Sequence, residues 1–221
     1  MTPSPSPLAG CRVVVTAGGT REPIDPVRFL GNRSSGRMGN AIAVAAAERG
    51  ADVTLVTTVV APVDARITVV EVETAAEMHA AVRAALTGAA VLVMAAAVAD
   101  YRVVDVATRK LKKRDALTLE LVPTVDILRA LVTDPARDGV MVVGFAAETD
   151  DLAANAARKL REKNLDLIVL NDVAATGIGM GAHDNAVTVL DADGLVAEVD
   201  RRPKAEVAMA LLDIIESRLA R

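Results

Sequence analysis

Apolar strand-like runs alternate with helix-like segments along most of this chain, and the alternation constrains the fold more than any other feature. Arg12 to Thr16 is a β-branched run that stops at Ala17-Gly18-Gly19, and Val91 to Ala97 is a second apolar run. Such runs are typical of strands that are buried on both faces. Because helical segments separate them, they predict a parallel sheet covered on both sides. We therefore predict a doubly wound, mostly parallel α/β fold.

Capping signals and glycines set the bounds of the other predicted elements. Ser34 or Ser35 can cap a helix from Gly36 to Arg49. The residues from Thr74 to Glu77 form a capping box that opens a helix through Leu86. In chain order, the further predictions are strands 52–57 and 67–72, helix 126–133, strand 140–145, helix 152–163, strand 165–170, strands 185–190 and 195–199, and helix 203–219.

Two segments break the alternation. Residues 1–10 carry prolines at positions 3, 5 and 7, and we predict a flexible tail or the remnant of a linker there. Residues 11–221 then form one domain. Within it, residues from about 101 to 122 have mixed charge and contain the basic run Arg109 to Arg114, which we interpret as a mobile flap. The chain ends in a β-hairpin joined through Asp193-Gly194 and a final helix.

The composition excludes several classes of protein. Lys and Arg number 25 against 29 Asp and Glu, a net charge of -4, so the chain is not a general binder of polyanions. One Tyr, two Phe and no Trp are too few aromatic residues for stacking single-stranded nucleic acid. A single cysteine excludes an internal disulfide framework and favours the reducing cytoplasm. We see no membrane-length apolar run and no signal peptide, so we expect a soluble protein that is not exported.

The residues that follow each strand are the candidate site, because doubly wound sheets bind ligands beyond the carboxyl ends of their strands. Ser34-Ser35-Gly36 at a helix start would present free backbone N–H groups to a phosphate or carboxylate. The small run Ala95-Ala96-Ala97 would let a flat ring approach the backbone, with Asp100 placed for a ribose hydroxyl or a cation. Each feature has a structural alternative: the serines only cap the helix, or the alanines only pack tightly.

Lysines provide two further candidates. The cluster from Lys110 to Arg114 would attract a polyphosphate, although a solvated charged surface is the commoner explanation of such a run. Lys159 and Lys163 lie four residues apart on one predicted helix and would share a face. They could hold phosphates, or they could only complement the dipole at the helix end.

Several other chemistries lack the residues that they need. His79 and His183 have no carboxylate or cysteine at the spacing of a zinc site. Cys11 lies far from any obvious base, and no Gly-x-Ser-x-Gly motif occurs, which argues against covalent catalysis by Ser or Cys. Neither Gly-x-Gly-x-x-Gly nor a Walker loop is present. Positioning of the reactants and neutralisation of charge remain as catalytic strategies, and these are typical of nucleotidyl transfer.

Six motifs, in order, carry a resemblance to a known family. They are Thr16 to Arg28, Asn32 to Gly39, Ala96 to Arg102, Lys110 to Lys113, Gly144 to Thr149, and Lys163 to Asp172. Together they closely resemble phosphopantothenoylcysteine synthetase, the ligase of coenzyme A biosynthesis, in its bacterial CTP-dependent form. The resemblance covers nearly everything from Arg12 onward and implies a Rossmann-like domain.

The resemblance implies a two-step reaction. CTP and 4′-phosphopantothenate would give an acyl-cytidylate and pyrophosphate with Mg²⁺, and the amine of L-cysteine would then displace CMP. Asn32 would hold the acyl-cytidylate for attack, and Lys110 would come from a flap that closes over the site. No dedicated metal site is implied: Mg²⁺ would arrive with the triphosphate, with Asp100 as the candidate ligand.

The resemblance also implies binding residues and partners. Arg28, Asn32 and Ala97 would contact phosphopantothenate. The nucleotide contacts would be Gly18, Ser34, Ser35, Gly36, Met94, Ala95, Ala96, Asp100, Lys110, Val125, Asp126, Ile127, Leu128, Phe145, Lys159 and Lys163, of which the segment 125–128 matches the family only loosely. The family is dimeric, with its site near the interface. Bacterial members are commonly fused behind a flavin-dependent phosphopantothenoylcysteine decarboxylase domain; nothing here corresponds to that domain or to a flavin site, so we expect an excised half or a stand-alone form.

Two other functions stay open at the level of sequence. A nicotinamide-dependent Rossmann-type reductase would share the fold, although Tyr101 is followed four residues later by Asp105 rather than by a lysine. A non-catalytic nucleotide-sensing module would keep the phosphate-binding features and lose only turnover.

Overall fold

The computed structural model describes residues 6–113, 115–148, 152–172 and 181–220. Its strands are β1 (Arg12–Ala17), β2 (Arg21–Pro23), β3 (Phe29–Gly31), β4 (Asp52–Thr57), β5 (Ile67–Glu71), β6 (Val91–Met94), β7 (Tyr101–Val103), β8 (Leu121–Pro123), β9 (Met141–Glu148), β10 (Leu167–Asp172), β11 (Asp184–Asp191) and β12 (Gly194–Pro203). Its α-helices are α1 (Arg37–Glu48), α2 (Ala75–Ala85), α3 (Ile127–Leu131), α4 (Leu152–Glu162) and α5 (Lys204–Leu219).

One eight-stranded sheet organises these elements, in the order β12-β11-β10-β9-β6-β1-β4-β5. Every neighbouring pair from β10 to β5 is parallel. The hairpin of β11 and β12 adds two antiparallel strands at one edge. The predicted fold class and the C-terminal hairpin are therefore confirmed.

The direction of chain progress reverses between β1 and β6, which lie side by side. From β1 the chain moves outward to β4 and β5, and it then returns to build β6, β9 and β10 on the other side. The connections that leave β1 and β6 consequently diverge. A crevice at the carboxyl ends of these two strands is the expected result in a doubly wound sheet.

Helices cover both faces of the sheet because alternate residues of the strands point to opposite sides. On one face, Val13 and Val15 pack in a buried cluster with apolar residues of α1 and α5. On the other face, Val14 packs in a second cluster with residues of α2, α3 and α4. The two clusters consist mainly of Val, Leu, Ile and Ala, so the core needs no aromatic side chain.

Two hairpins lie beside the sheet and frame the predicted flap. β2 pairs antiparallel with β3, and β7 pairs antiparallel with β8. Strands β2 and β3 are absent from the elements that the sequence predicted, because strands of three residues show too little periodicity. The segment between β7 and β8, residues 104–120, contains the basic run and corresponds to the predicted flap.

The capping predictions had opposite outcomes. Thr74 and Glu77 form the predicted capping box at the start of α2. The prediction that Ser34 or Ser35 caps α1 is wrong, because Gly36 occupies the cap position and no described side chain caps this helix. The backbone of Gly36 is left-handed, with φ of 71°, and carries the chain straight into the helix.

The packed domain begins before Cys11. Residues 7–10 form a turn, and Leu8 is completely buried in the cluster formed by α1, α5 and the sheet. The side chain of Ser6 donates a hydrogen bond to the Glu216 carboxylate on α5. Within the described ranges, every helix is too short or too polar to span a lipid bilayer.

Replacing Leu8 by Ala tests this boundary. We expect Leu8→Ala to lower the free energy of unfolding by about 2–5 kcal/mol, because it removes buried methyl groups and leaves a cavity. Leu195→Ala is the matched control, since Leu195 is 63% exposed and should change stability by less than about 0.5 kcal/mol. Urea denaturation measures both variants, and equal stabilities would contradict the burial of Leu8.

Candidate functional site

A cleft of about 710 Å³ opens at the carboxyl edge of the sheet, at the reversal between β1 and β6. The loop after β1 and the start of α1 form one side, and the loop after β6 forms the floor. Residues 123–128 and the end of α4 form the opposite side. The cleft therefore lies where the sheet topology predicts a ligand.

The α1 side brings backbone close to the cleft. A Cβ atom on Gly36 would lie 2.3 Å from Val59 Cγ2, and one on Gly39 would lie 2.5 Å from the Thr16 carbonyl oxygen. Glycine at both positions lets the first turn of α1 pack directly on the end of β1. Since no described side chain caps α1, its first turn directs backbone N–H groups and the positive end of its dipole toward the cleft, an arrangement suited to an anion.

The floor is held in place by hydrogen bonds between the loops after β1 and β6. The Ala96 N–H donates to Thr16 Oγ1 at 3.0 Å, and the Ala97 N–H donates to the Gly18 carbonyl at 2.8 Å. At the rim, Asn32 Nδ2 donates to the Val98 carbonyl at 2.9 Å. Strand β6 therefore ends at Met94 and not at Ala97 as predicted, because the following backbone bonds to the β1 loop instead.

A charged pair lies on the opposite side of the cleft. Asp126 caps α3 by accepting a hydrogen bond from the Arg129 N–H at 3.2 Å. Lys163 Nζ lies 3.0 Å from Asp126 Oδ2, so this lysine joins the end of α4 to the start of α3. Lys159 lines the cleft one turn earlier on α4.

A buried carboxylate fixes the base of the flap. The side chain of Asp25 is completely buried and accepts hydrogen bonds from the N–H groups of Val27, Arg28 and Leu111, each at 2.9–3.0 Å. The Arg28 guanidinium bonds the same carboxylate and donates to the Leu111 carbonyl at 2.9 Å. The Arg28 guanidinium and these N–H donors hold the pKa of Asp25 well below its usual range.

The structure brings together most of the residues that the sequence proposed for the site. The cleft is lined by Asn32, Ser34, Gly36, Met94, Ala95, Ala96, Ala97, Asp100, Val125, Asp126, Ile127, Leu128, Phe145, Lys159 and Lys163. Gly18, Ser35, Arg28 and Lys110 are not among its described lining residues. Gly18 lies directly behind Gly36, whereas Arg28 and Lys110 lie at the base of the flap. The roles proposed for all these residues stay predictions.

Some residues of the cleft were not in the predicted site. Arg37, Met38 and Gly39 belong to the motif that begins at Asn32, so the motif itself was a signal for them. Asn185 and Lys204 reach the cleft from the C-terminal hairpin and α5. No local pattern marks these two, since they approach only when β11 and β12 fold back along β10.

The carboxylates of the cleft could hold a metal ion only if a bound ligand supplied further coordinating atoms. The described parts of the chain contain no group of three or more His, Cys, Asp or Glu side chains that could hold a metal. Asp100 is exposed and lines the cleft. A single carboxylate suits Mg²⁺ bound mainly by phosphate oxygens and water.

Comparison with known proteins gives consistent results. Residues 8–219 match the family described as the DNA/pantothenate metabolism flavoprotein C-terminal domain. Over 195 residues the chain is 46% identical to the coenzyme A biosynthesis bifunctional protein CoaBC of Vibrio cholerae, covering 86% of this chain and 49% of that protein. The corresponding protein of Bacillus subtilis is 44% identical over 213 residues, covering 95% of this chain and 52% of that protein.

A solved structure shares the fold. The C-terminal domain of a coenzyme A biosynthesis bifunctional protein CoaBC superimposes with a TM-score of 0.80 and 41% identity, covering 97% of this chain and 98% of that one. By contrast, the chain spans about half the length of the curated relatives that it matches.

Replacing Asp25 by Asn tests the anchoring of the flap. We expect Asp25→Asn to speed hydrogen exchange at the Leu111 amide on the order of tenfold, because a neutral amide accepts more weakly than a carboxylate. Asp115→Asn, an exposed flap variant, is the control and should leave this rate unchanged.

The same anchor predicts a pH dependence. Because the pKa of Asp25 is lowered in the folded state, its contribution is complete above the ordinary carboxyl pKa of about 4 and is lost only well below it. Exchange at the Leu111 amide, corrected for its intrinsic pH dependence, should therefore stay protected from neutral pH to about pH 4. Loss of protection between pH 7 and 5 would contradict this assignment.

Proposed function

The chain belongs to the family of DNA/pantothenate metabolism flavoprotein C-terminal domains, and we propose that it ligates 4′-phosphopantothenate to L-cysteine with CTP. One observation carries the proposal. Residues that lie far apart in the sequence, at Asn32, 94–100, 125–128, Phe145 and 159–163, line a single cleft at the topological switch point. The identity to the coenzyme A biosynthesis proteins supports the same reaction.

The proposed reaction has two displacements. First, the carboxylate of phosphopantothenate attacks the α-phosphorus of CTP, the bond to the bridging oxygen breaks, and pyrophosphate leaves with that electron pair. Second, the amine of cysteine attacks the acyl carbon, CMP leaves from it, and the amine releases a proton to solvent. Neither step requires a nucleophile of the protein, so the task of the cleft is to position reactants and neutralise charge.

The cleft offers separate surfaces for the parts of CTP. The first turn of α1 suits phosphates, and the small side chains of Ala95 and Ala96 leave room for a flat base to approach the backbone. Phe145 lines the same cleft and is partly buried, as a platform for the base would be. Mg²⁺ held by Asp100 and the triphosphate would supply charge neutralisation at the reacting phosphate.

We propose that Asn32 acts on the intermediate. One Nδ2 hydrogen is used by the Val98 carbonyl, which fixes the amide at the rim of the cleft. The second Nδ2 hydrogen can donate to the acyl-phosphate, and Oδ1 can accept from the incoming amine. Lys110 precedes Leu111, so the Asp25 anchor holds the backbone from which this lysine would reach the phosphates.

We further propose a homodimer formed through the two small hairpins. These hairpins carry exposed apolar side chains, with Phe29 on β3 52% exposed, Tyr101 on β7 51% exposed and Leu121 on β8 42% exposed. Large apolar side chains clustered at a surface are typical of an interface. A monomer by light scattering, at concentrations where the enzyme is active, would contradict this arrangement.

We also propose that a flavin-dependent decarboxylase consumes the product and that the protein acts in the cytoplasm.

The decisive test is release of pyrophosphate from CTP that depends on added phosphopantothenate. A ligase releases it, a reductase of the same fold does not, and a nucleotide sensor binds CTP without turnover. Parallel reactions with ATP test the choice of nucleotide, and equal turnover with ATP would overturn selectivity for CTP. When cysteine is also added, mass spectrometry should detect phosphopantothenoylcysteine as the product.

Replacing Lys110 by Ala should impair the first step. We expect turnover to fall on the order of 100- to 1,000-fold, because the lysine would neutralise charge that shifts toward the leaving pyrophosphate. Lys112→Ala, on the neighbouring exposed part of the flap, should cost much less. Both are measured by pyrophosphate release, and small, indistinguishable effects would mean that the cluster is only a solvated surface.

Replacing Asn32 by Asp should impair the second step. The variant should fold and release pyrophosphate, but the added negative charge beside the phosphates should slow attack by cysteine, so that acyl-cytidylate accumulates. A rapid-quench time course resolves the intermediate from the product. Product formation at the parent rate would overturn the assignment, and failure to form the intermediate would move Asn32 to the first step.

A further inference from the structure

Two cationic side chains converge at the end of the cleft nearest the C-terminal hairpin. Arg37 is the first residue of α1, and Lys204 is the first residue of α5. Lys204 is only 6% exposed, and its Nζ donates to the Ala182 carbonyl at 2.7 Å. Arg37 Nη1 donates to the neighbouring Gly181 carbonyl at 3.3 Å. Both charges thus line one end of the cleft.

Burial and the proximity of two like charges make this end of the cleft favourable for an anion. Burial lowers the pKa of Lys204, and the nearby charge of Arg37 lowers it further. The two described carboxylates that line the cleft are Asp100 and Asp126, and Asp126 already pairs with Lys163 on the opposite side. An anionic group bound between Arg37 and Lys204 would offset the mutual repulsion of these cations.

A buried amide points to the same place. Asn185 is completely buried and lines the cleft, yet its Oδ1 makes no hydrogen bond with any described residue. Among the described residues, its Nδ2 contacts the sulfur of Met38, in the first turn of α1, at 3.9 Å. Since buried amides are normally hydrogen-bonded, this group is suited to a ligand, and rotation of the amide presents either a donor or an acceptor.

We propose that Arg37, Asn185 and Lys204 form a subsite for the outer phosphoryl groups of a nucleoside triphosphate. The uncapped start of α1 adds backbone donors to it. The identity of the nucleotide rests on the proposed function, whereas the subsite itself requires only a di- or triphosphate. The nucleoside then lies toward Phe145 and residues 125–128, and the phosphates cross the sheet edge to the hairpin side.

The subsite would also act on the leaving group. When the bond between the α-phosphorus and the bridging oxygen breaks, negative charge increases on the departing pyrophosphate. Two cations and an amide fixed by α1, α5 and β11 stabilise this charge without reorganising. They would therefore hold pyrophosphate after CMP has been transferred to the acid.

The test compares ligands that differ only in their outer phosphates. Calorimetric titrations in buffer with Mg²⁺ measure binding of inorganic pyrophosphate, CTP and CMP to the whole chain. Lys204→Met should weaken the binding of pyrophosphate and of CTP on the order of tenfold or more, because a charge-assisted contact is lost. The affinity for CMP should stay unchanged within about twofold. Lys204→Arg should retain most of the binding. Arg201→Met removes a cation that bonds Asp184 outside the cleft, and this control should bind all three ligands like the parent.

A second variant protects the test against a folding defect. Asn185→Asp has nearly the same shape as the parent and places a negative charge beside the phosphates. It should therefore weaken the binding of pyrophosphate more than the binding of CMP, and it keeps the test valid even if Lys204→Met fails to fold. Equal weakening of CTP and CMP, or pyrophosphate binding that neither variant changes, would overturn the subsite.

The binding measurements distinguish a failure of the subsite from a failure of the proposed ligase function. If the parent does not turn over CTP but binds pyrophosphate through Lys204, the subsite stands and the ligase proposal fails. If the parent is an active ligase and Lys204→Met changes only its thermal stability, the ligase proposal stands and the subsite fails. A parent protein that binds neither pyrophosphate nor CTP overturns both.

Discussion

The buried hydroxyl of Thr16 joins the two strands on which the cleft depends. Thr16 is completely buried on β1, and its Oγ1 accepts a hydrogen bond from the Ala96 N–H just beyond β6. An unsatisfied hydroxyl there would carry a desolvation cost, so the bond favours one relative position of the two loops. The parallel bridge between Gly19 and Ala97 extends this connection. As a result, the start of α1 and the floor of the cleft are both held against the end of β1.

Asp25 applies the same principle to the flap. A buried carboxylate is tolerated because several donors saturate its oxygens, and those donors come from its own turn and from Leu111, more than eighty residues away. The long connection between β7 and β8 therefore has a fixed base, while its described basic residues, Arg109, Lys110, Lys112 and Lys113, are exposed. The closure proposed for this segment would then need only a change beyond the anchor, and its cost in chain entropy would be smaller than for a free loop.

The elements that were predicted correctly are those marked by hydrophobic periodicity or by a capping motif in the sequence. The alternation of β-branched runs and helices predicted the sheet, and Thr74 with Glu77 predicted the start of α2 at the right residue. The serine cap of α1 failed because glycine offers a left-handed backbone that the packing of α1 against β1 requires. The burial of Leu8 was hidden by the prolines around it, since composition describes the segment and not the one side chain that packs.

Within the site, the resemblance located residues that lie in contiguous motifs. Asn185 and Lys204 lie outside those motifs, and only the antiparallel return of β11 and β12 brings them beside α1. No spacing in the sequence encodes that meeting. Residues supplied to a site by a long-range strand pairing are thus the ones that local patterns miss.

The position of Leu8 has a consequence for how this domain can be joined to another. Residues 6–10 pack against Gly50 and the α5 residue Glu216, and they enter β1 at its amino end, whereas the cleft lies at the carboxyl ends of the strands. Any polypeptide covalently attached ahead of Ser6 is tethered to the rear of the sheet. A ligand that leaves the cleft therefore leaves from the edge of the sheet opposite to this point of attachment.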